Sequence, residues 1–237
     1  MPAKLRNNQQ TTNNWQQFQE RILTRRFLLS GVGLAVVIFF LALSPRPSDL
    51  RVANVTARSF SVGWATDAPS RGCVVVVPQK QWWRWLMRCD WEKVAAHLVR
   101  FEGFSEEQSY RVGYVSGLRW QFWGTPVVKT AQILEEQPPL PQPAYGKVED
   151  QFGDPLQNTL IYLYSLSPTA RAPIAAMTNE QGNYGLDLAN LQAQSEGLGQ
   201  TGTFVVEVIH GSSERKRFEG DIRMIQPLPA ITIETNE

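Results

Sequence analysis

Three observations predict a mainly β chain with one N-terminal transmembrane helix and two β-sandwich domains beyond it. An 18-residue run from Phe27 to Ser44 carries no charge. After it the sequence breaks into strand-length runs of alternating polarity, separated by Gly, Pro, Asn and Asp turn clusters. Between Glu135 and Pro143 four prolines fall within nine residues and divide those runs into two sets.

With 237 residues and 43% hydrophobic content the chain is too apolar to be disordered and long enough for one or two folded units. Its 23 Lys and Arg against 22 Asp and Glu give a net charge of +1, which excludes the strongly basic balance of a dedicated nucleic-acid binder. Residues 1–26 hold five basic side chains and one acid, a net +4, so the remainder holds 18 minus 21, or −3. Two cysteines and two histidines, His97 and His210, cannot supply a four-ligand Cys/His zinc site within one chain.

In the apolar run, FLLSGVGLAVVIFFLALS, twelve residues are Leu, Ile, Val or Phe. As a helix it spans roughly 27 Å, close to the ~30 Å hydrocarbon core. Arg21, Arg25 and Arg26 crowd its N-terminal flank, while Arg46 and Arg51, with Asp49, follow it more weakly. The positive-inside rule therefore places residues 1–26 in the cytoplasm as a short Asn/Gln-rich tail and the rest of the chain outside. A cleaved signal peptide shares the basic-then-apolar order, but this run is longer than such segments and Ala42-Leu43-Ser44 is a marginal cleavage site followed by Pro45. Thr24-Arg25-Arg26-Phe27-Leu28-Leu29 resembles a twin-arginine export signal that lacks its spacer.

The first domain, 45–135, opens with alternating runs at 48–56 and 58–66. Leu50 and Val52 face one way, and Phe60, Val62 and Trp64 share a face. Asp67 to Gly72 supplies turn residues before a third apolar run, Cys73 to Val77. Pro-Ser-Asp-Leu-Arg-Val at the start, Val-Thr-Ala-Arg-Ser-Phe-Ser-Val-Gly-Trp with a core tryptophan on the second strand, and Thr-Asp-Ala-Pro-Ser-Arg-Gly after it resemble a fibronectin type III domain over about 30 residues. The pattern departs at Gln79. There an insertion, QKQWWRWLMRCDWEKVAAHLVRFEGF, holds four of the eight tryptophans within ten residues. Asp90 reads as an N-cap, and Trp91, Val94, Ala95 and Leu98 share a helical face, predicting a short helix to about Arg100. Strand pattern returns at 109–115, and 125–131 reads as the closing strand.

The tryptophans, Trp82, Trp83, Trp85 and Trp91, have two readings. As flat rings interleaved with Arg84, Arg88 and Lys93 they suit an extracellular glycan, a protein partner or a lipid headgroup layer. The ordinary expectation is that they cap an open end of the sandwich and are buried, as Trp is on average. Cys73 and Cys89, outside the membrane in this topology, are able to form a disulfide; buried free thiols are the alternative.

Residues 136–142 form a Pro-rich linker, an extended spacer. In the second domain, 143–237, Gly146-Lys-Val-Glu-Asp-Gln-Phe-Gly-Asp-Pro-Leu156, the Leu-Ile-Tyr-Leu strand and Thr178-Asn-Glu-Gln-Gly-Asn-Tyr-Gly-Leu resemble the carboxypeptidase regulatory-like, or transthyretin-like, family. The resemblance implies a non-catalytic scaffold, stalk or adhesion β-sandwich. Residues 175–178 and 183–188 around Asn179-Glu-Gln-Gly182 predict a hairpin, with further strands at 203–210, 215–225 and 230–234. Some related modules cross-link a Lys to an Asn, which draws the eye to Lys147, here read as solvent-facing. Asp150 and Asp154 around Gly153 read as turn chemistry rather than a calcium site.

No catalytic motif emerges. Gly197-Leu-Gly-Gln-Thr-Gly202 matches G-x-G-x-x-G without the strand and helix that motif needs, and is read as a loop. Glu106-Glu107 and Glu135-Glu136 read as solvated charge. No catalytic residue, cofactor, metal or nucleic-acid partner is expected. The functional expectation is a single-pass surface or envelope protein acting in binding or adhesion, the alternative being a structural spacer subunit of a membrane or secretion complex.

Overall fold

The computed structural model describes residues 45–116, 119–122, 125–132, 143–165, 172–188, 203–211, 214–221 and 230–234. The segment 27–44 that the sequence predicts to span a membrane, the tail before it, the predicted linker 136–142, Glu135-Glu136 and the glycine motif at 197–202 lie outside these residues. Among the described residues the secondary structure is entirely β.

The first sandwich is built from β1 (Pro47–Ala53), β2 (Ser59–Pro78), β3 (Leu86–Glu102), β4 (Ser109–Ser116), β5 (Arg119–Gln121) and β6 (Val127–Lys129). β2 is one 20-residue strand where the sequence predicts two strands and a turn. Its first half pairs with β1, Val62 opposite Val52, and with the end of β3, Phe60 opposite Phe101. Its second half pairs with the start of β3, Cys73 opposite Cys89, and with β4, Val76 opposite Val112. The β2 to β3 register breaks between Ala65 and Gly72, so the predicted turn is a corner at which both strands pass from one layer to the other. Gly72 permits it, because a Cβ there would meet the Trp64 indole.

The core records the fold-back. Phe60, near the start of β2, lies 6.0 Å ring to ring from Tyr110, and Tyr110 is paired with Pro78 at the end of β2. Trp64 is fully buried and stacks on His97 at 4.5 Å. Pro47 lies opposite Thr66. The chain therefore enters the sandwich at the corner end of β2, whereas the β2 to β3 loop emerges at the opposite pole.

The predicted helix after Asp90 is strand instead, the 17-residue β3. His97, Val99 and Phe101 point into the first core, while Ala96 and Leu98 point the other way into a second apolar contact. With both faces buried the period of two is masked, and the remaining apolar spacing mimics a helix. Asp90 caps nothing: its carboxylate accepts the Glu92 N–H and meets His97 Nδ1 at 2.8 Å.

The second sandwich has a three-stranded sheet, β10 (Asn183–Asp187), β7 (Pro143–Asp150) and β13 (Ile231–Ile233), facing a four-stranded one, β12 (Glu214–Asp221), β11 (Thr203–His210), β8 (Leu160–Ser165) and β9 (Ile174–Met177). Val148, Ile161, Leu163, Tyr184, Val206 and Ile231 fill the space between. The predicted hairpin over 175–188 is not one. β9 pairs with β8 and β10 with β7, so the turn closed by the Gly182 N–H to Asn179 carbonyl bond carries the chain across the core. An apolar run, a turn and another apolar run describe both connections; only the sheet each strand joins separates them.

Residues 45–237 form one compact unit because the sandwiches pack directly. Ala53, Ala65 and Ala96 of the first meet Leu160, Tyr162, Ala175 and Ile209 of the second. Gly63 allows the approach, since a Cβ there would overlap the Tyr162 hydroxyl, which is buried and has no hydrogen-bond partner. Arg51 closes one side of the contact. Its guanidinium lies 5.1 Å from the Tyr162 ring centroid, bonds the Tyr164 hydroxyl and makes a two-pronged pair with Glu207 at 2.6 and 3.1 Å. Asp49 bridges Arg51, at 3.2 Å, and Arg215. Burial alone would raise the Asp49 pKa, but the hydrogen bond and charge of Arg215, joined by Arg51, hold it below its ordinary value. On the other side Asn54, at φ +52°, exchanges two 2.9 Å bonds with the Ala175 backbone, its amide standing in for a strand partner.

Two predictions follow from this contact. Gly63→Ala should lower unfolding stability by about 1–3 kcal/mol through overpacking, and Tyr162→Phe, which removes an unpartnered hydroxyl, should be neutral or stabilising and recover part of the loss in the double variant. Denaturant titration of the three proteins reads this as non-additivity. Because the Asp49 pKa is depressed in the folded state, its contribution is present above the ordinary carboxylate range and is lost as pH falls through the folded value. Asp49→Asn should be less stable than the parent at neutral pH, and the gap should shrink as the pH of the unfolding experiment is lowered below about 4.

Candidate functional site

β4 accompanies β2 as far as Pro78, and beyond it the chain makes a short turn, with bonds from the Gln81 N–H to the Pro78 carbonyl and from the Arg84 N–H to the Gln81 carbonyl. The residues from Trp82 to Arg88 are all exposed. Trp82, Trp83, Trp85 and Trp91 are 73, 61, 58 and 71% exposed, which overturns the expectation that these rings cap the core. The reason lies in the pairing. Among the described residues the tip has no neighbouring strand to pack on, and the first half of β3 pairs with β2 along one side only. By area, the exposed rings hold several kcal/mol of burial that the isolated chain leaves unused.

Leu86 and Met87, 49 and 52% exposed, extend the apolar surface and escaped the sequence reading. Consecutive strand residues point to opposite faces, so the hairpin is apolar on both. Trp120 also escaped it. It lies on β5 opposite Val115, and Val115 in turn lies opposite Cys73. The signal for Leu86 and Met87 was proximity in sequence to the tryptophans; Trp120 shares their sheet through β4 and β2, which no sequence pattern shows.

A disulfide joins Cys73 to Cys89 at the base of the tip, where the two residues face each other across β2 and β3. It encloses residues 74–88, so the aromatic segment is fastened to the central strand. Lys80, Arg84 and Arg88 are interleaved with the rings, and no ion pair among the described residues includes them. Lys93 is exposed on β3 further along.

The remaining singled-out residues have structural roles. His97 is fully buried between Asp90 and Trp64. His210 Nδ1 lies 2.8 Å from the hydroxyl of the fully buried Thr159, and burial pushes the imidazole pKa down, partly offset by Glu214. Lys147 pairs with Glu149 at 2.6 Å. Asp150 Oδ1 accepts the N–H groups of Phe152 and Asp154, the geometry of a turn. No group of three metal-ligating side chains is assembled among the described residues.

No protein-family model and no curated protein matches the chain. Among solved structures it is similar to a two-domain fibronectin type III segment of chicken tenascin, at 12% identity over 74% of this chain and 97% of that one, with a TM-score of 0.28. It is also similar to the Bacillus anthracis TIE protein, at 11% identity over 81% of this chain and 39% of that one, TM-score 0.25, and to the human OSCAR ligand-binding domain, at 15% identity over 75% and 97%, TM-score 0.21. The assignment as β-sandwiches rests on the strand pairings above.

The disulfide closes a loop of about 15 residues, for which chain-entropy arguments give roughly 3 kcal/mol. Cys73→Ser with Cys89→Ser should therefore lower unfolding stability by about that amount, and the parent should fall to the same level in reductant; equal denaturation midpoints with and without reductant would show that the bond contributes nothing.

Proposed function

We propose that this chain is a single-pass membrane protein whose two β-sandwiches lie outside the membrane and act in binding or adhesion through the tip of the β2 to β3 hairpin. The observation that carries this reading is the unbroken run of exposed side chains from Trp82 to Arg88, three of them tryptophan. An apolar patch of this kind on a water-facing surface marks an interaction site, and clustered Trp and Arg are the residues most enriched where binding energy concentrates. The fibronectin type III-like reading of the first sandwich is supported by the buried Trp64 on its second strand, and the carboxypeptidase regulatory-like reading of the second by the turn at Asp150. The apolar run at 27–44 supports the anchor, and the disulfide supports an oxidising, outward location. A rigid pair of sandwiches would also suit a spacer subunit, but a spacer has no use for a solvent-facing aromatic tip.

The test is binding of the full chain, displayed on cells, to the surfaces or extracts it adheres to, compared with Trp82→Ala/Trp83→Ala/Trp85→Ala. These positions support no core, so the variant should keep its thermal midpoint and lose at least tenfold in binding. Undiminished binding by a folded variant would remove the tip from the function.

A further inference from the structure

Resting on the reading of the tip as the contact site, we propose that its target is an anionic lipid surface, the rings entering the headgroup layer and Lys80, Arg84 and Arg88 meeting lipid phosphates. Shape is the first argument. Leu86 and Met87 project from opposite faces of β3, and the Trp82 and Trp83 rings stand nearly perpendicular, at 82°. A folded protein partner offers one complementary surface, whereas a fluid interface wets a wedge from every side.

Composition is the second argument. Tryptophan with Arg and Lys is what the boundary between water and hydrocarbon selects, because each has an apolar body and a polar end. Charge is the third. Residues 79–88 carry three cations and no acid, while the rest of the chain after residue 26 carries 15 cations and 21 acids, a net −6. The cations at the tip are thus set against the charge of the sandwiches, and none is spent on an ion pair among the described residues. Finally, within the first sandwich the tip lies at the pole opposite the one where β1 begins.

The experiment uses the full chain in phosphatidylcholine nanodiscs, mixed with vesicles of phosphatidylcholine alone or with phosphatidylglycerol, and reads co-flotation. The parent should float with the phosphatidylglycerol vesicles, less so as salt is raised. Trp82→Ala/Trp83→Ala/Trp85→Ala should abolish this, and Arg84→Ala/Arg88→Ala should reduce it on the order of tenfold, both with unchanged thermal midpoints. The net +4 of residues 1–26 is common to all three proteins, so their differences read the tip alone. Absence of flotation, or equal flotation of all three, overturns the lipid proposal. A photo-reactive benzoylphenylalanine replacing Trp83 on intact cells then separates the two readings: a protein adduct keeps the tip as a contact site with a protein target, and no adduct of any kind removes that reading as well.

Discussion

The Tyr162 hydroxyl set against the backbone at Gly63, with the Arg51 guanidinium over the tyrosine ring, is the contact on which the rest of the molecule depends. It requires β8 to be apolar on both faces, and Leu160 to Leu163 are all buried. It requires the opposing layer to be thin, and Ala53, Gly63, Ala65 and Ala96 make it so. It also requires a cation that tolerates burial, and Arg suits this better than Lys because its planar fork answers a carboxylate with two bonds while its face covers the rings. Desolvation opposes the charge on Arg51, but the bonds it donates to Glu207 and Tyr164 outweigh it, so the guanidinium stays charged at any working pH. Two sandwiches joined in this way behave as one body.

The same contact explains where sequence reading succeeds and where it fails. Strands with one buried face, such as β4 with Tyr110, Val112 and Tyr114 turned inward, show their alternation openly. β3 between Ala96 and Leu98 and β8 between Leu160 and Leu163 are buried on both faces, and their alternation disappears. In β8 an apolar run of four still reads as a strand. In β3 the apolar residues are interrupted by Lys93, His97 and Arg100 at intervals that suit a helix, and local pattern alone cannot reveal that a second sandwich covers the far face. The ion pairs of Asp49 and Arg51 are hidden from the sequence for a related reason. In sequence they flank an apolar segment, and only the fold brings Glu207 and Arg215 to them.

The site was half legible. Four tryptophans within ten residues are conspicuous in any sequence, and so are the cysteines around them. Whether such rings are core or surface depends on whether a neighbouring strand reaches them, and β4 stops pairing at Pro78. Exposure is therefore a property of strand length, set by Tyr110 and Pro78 facing each other, rather than of the tryptophan segment itself.

An exposed apolar edge strand is hazardous, because its unpaired backbone invites another chain to add to the sheet. The first half of β3 has such an edge, with Leu86 and Met87 upon it. Three features act against strand addition. Arg84 and Arg88 place like charges where an identical edge would have to dock, and the disulfide ties the segment to β2 so that it cannot peel away and exchange. Just beyond, the corner between Ala65 and Gly72 bends the edge and shortens the straight length available. These safeguards make sense only where the aromatic residues are worth keeping in water. A chain that merely needed a stable sandwich would have replaced them with polar residues at no cost to its core, since none of the six residues Trp82, Trp83, Trp85, Leu86, Met87 and Trp91 belongs to it.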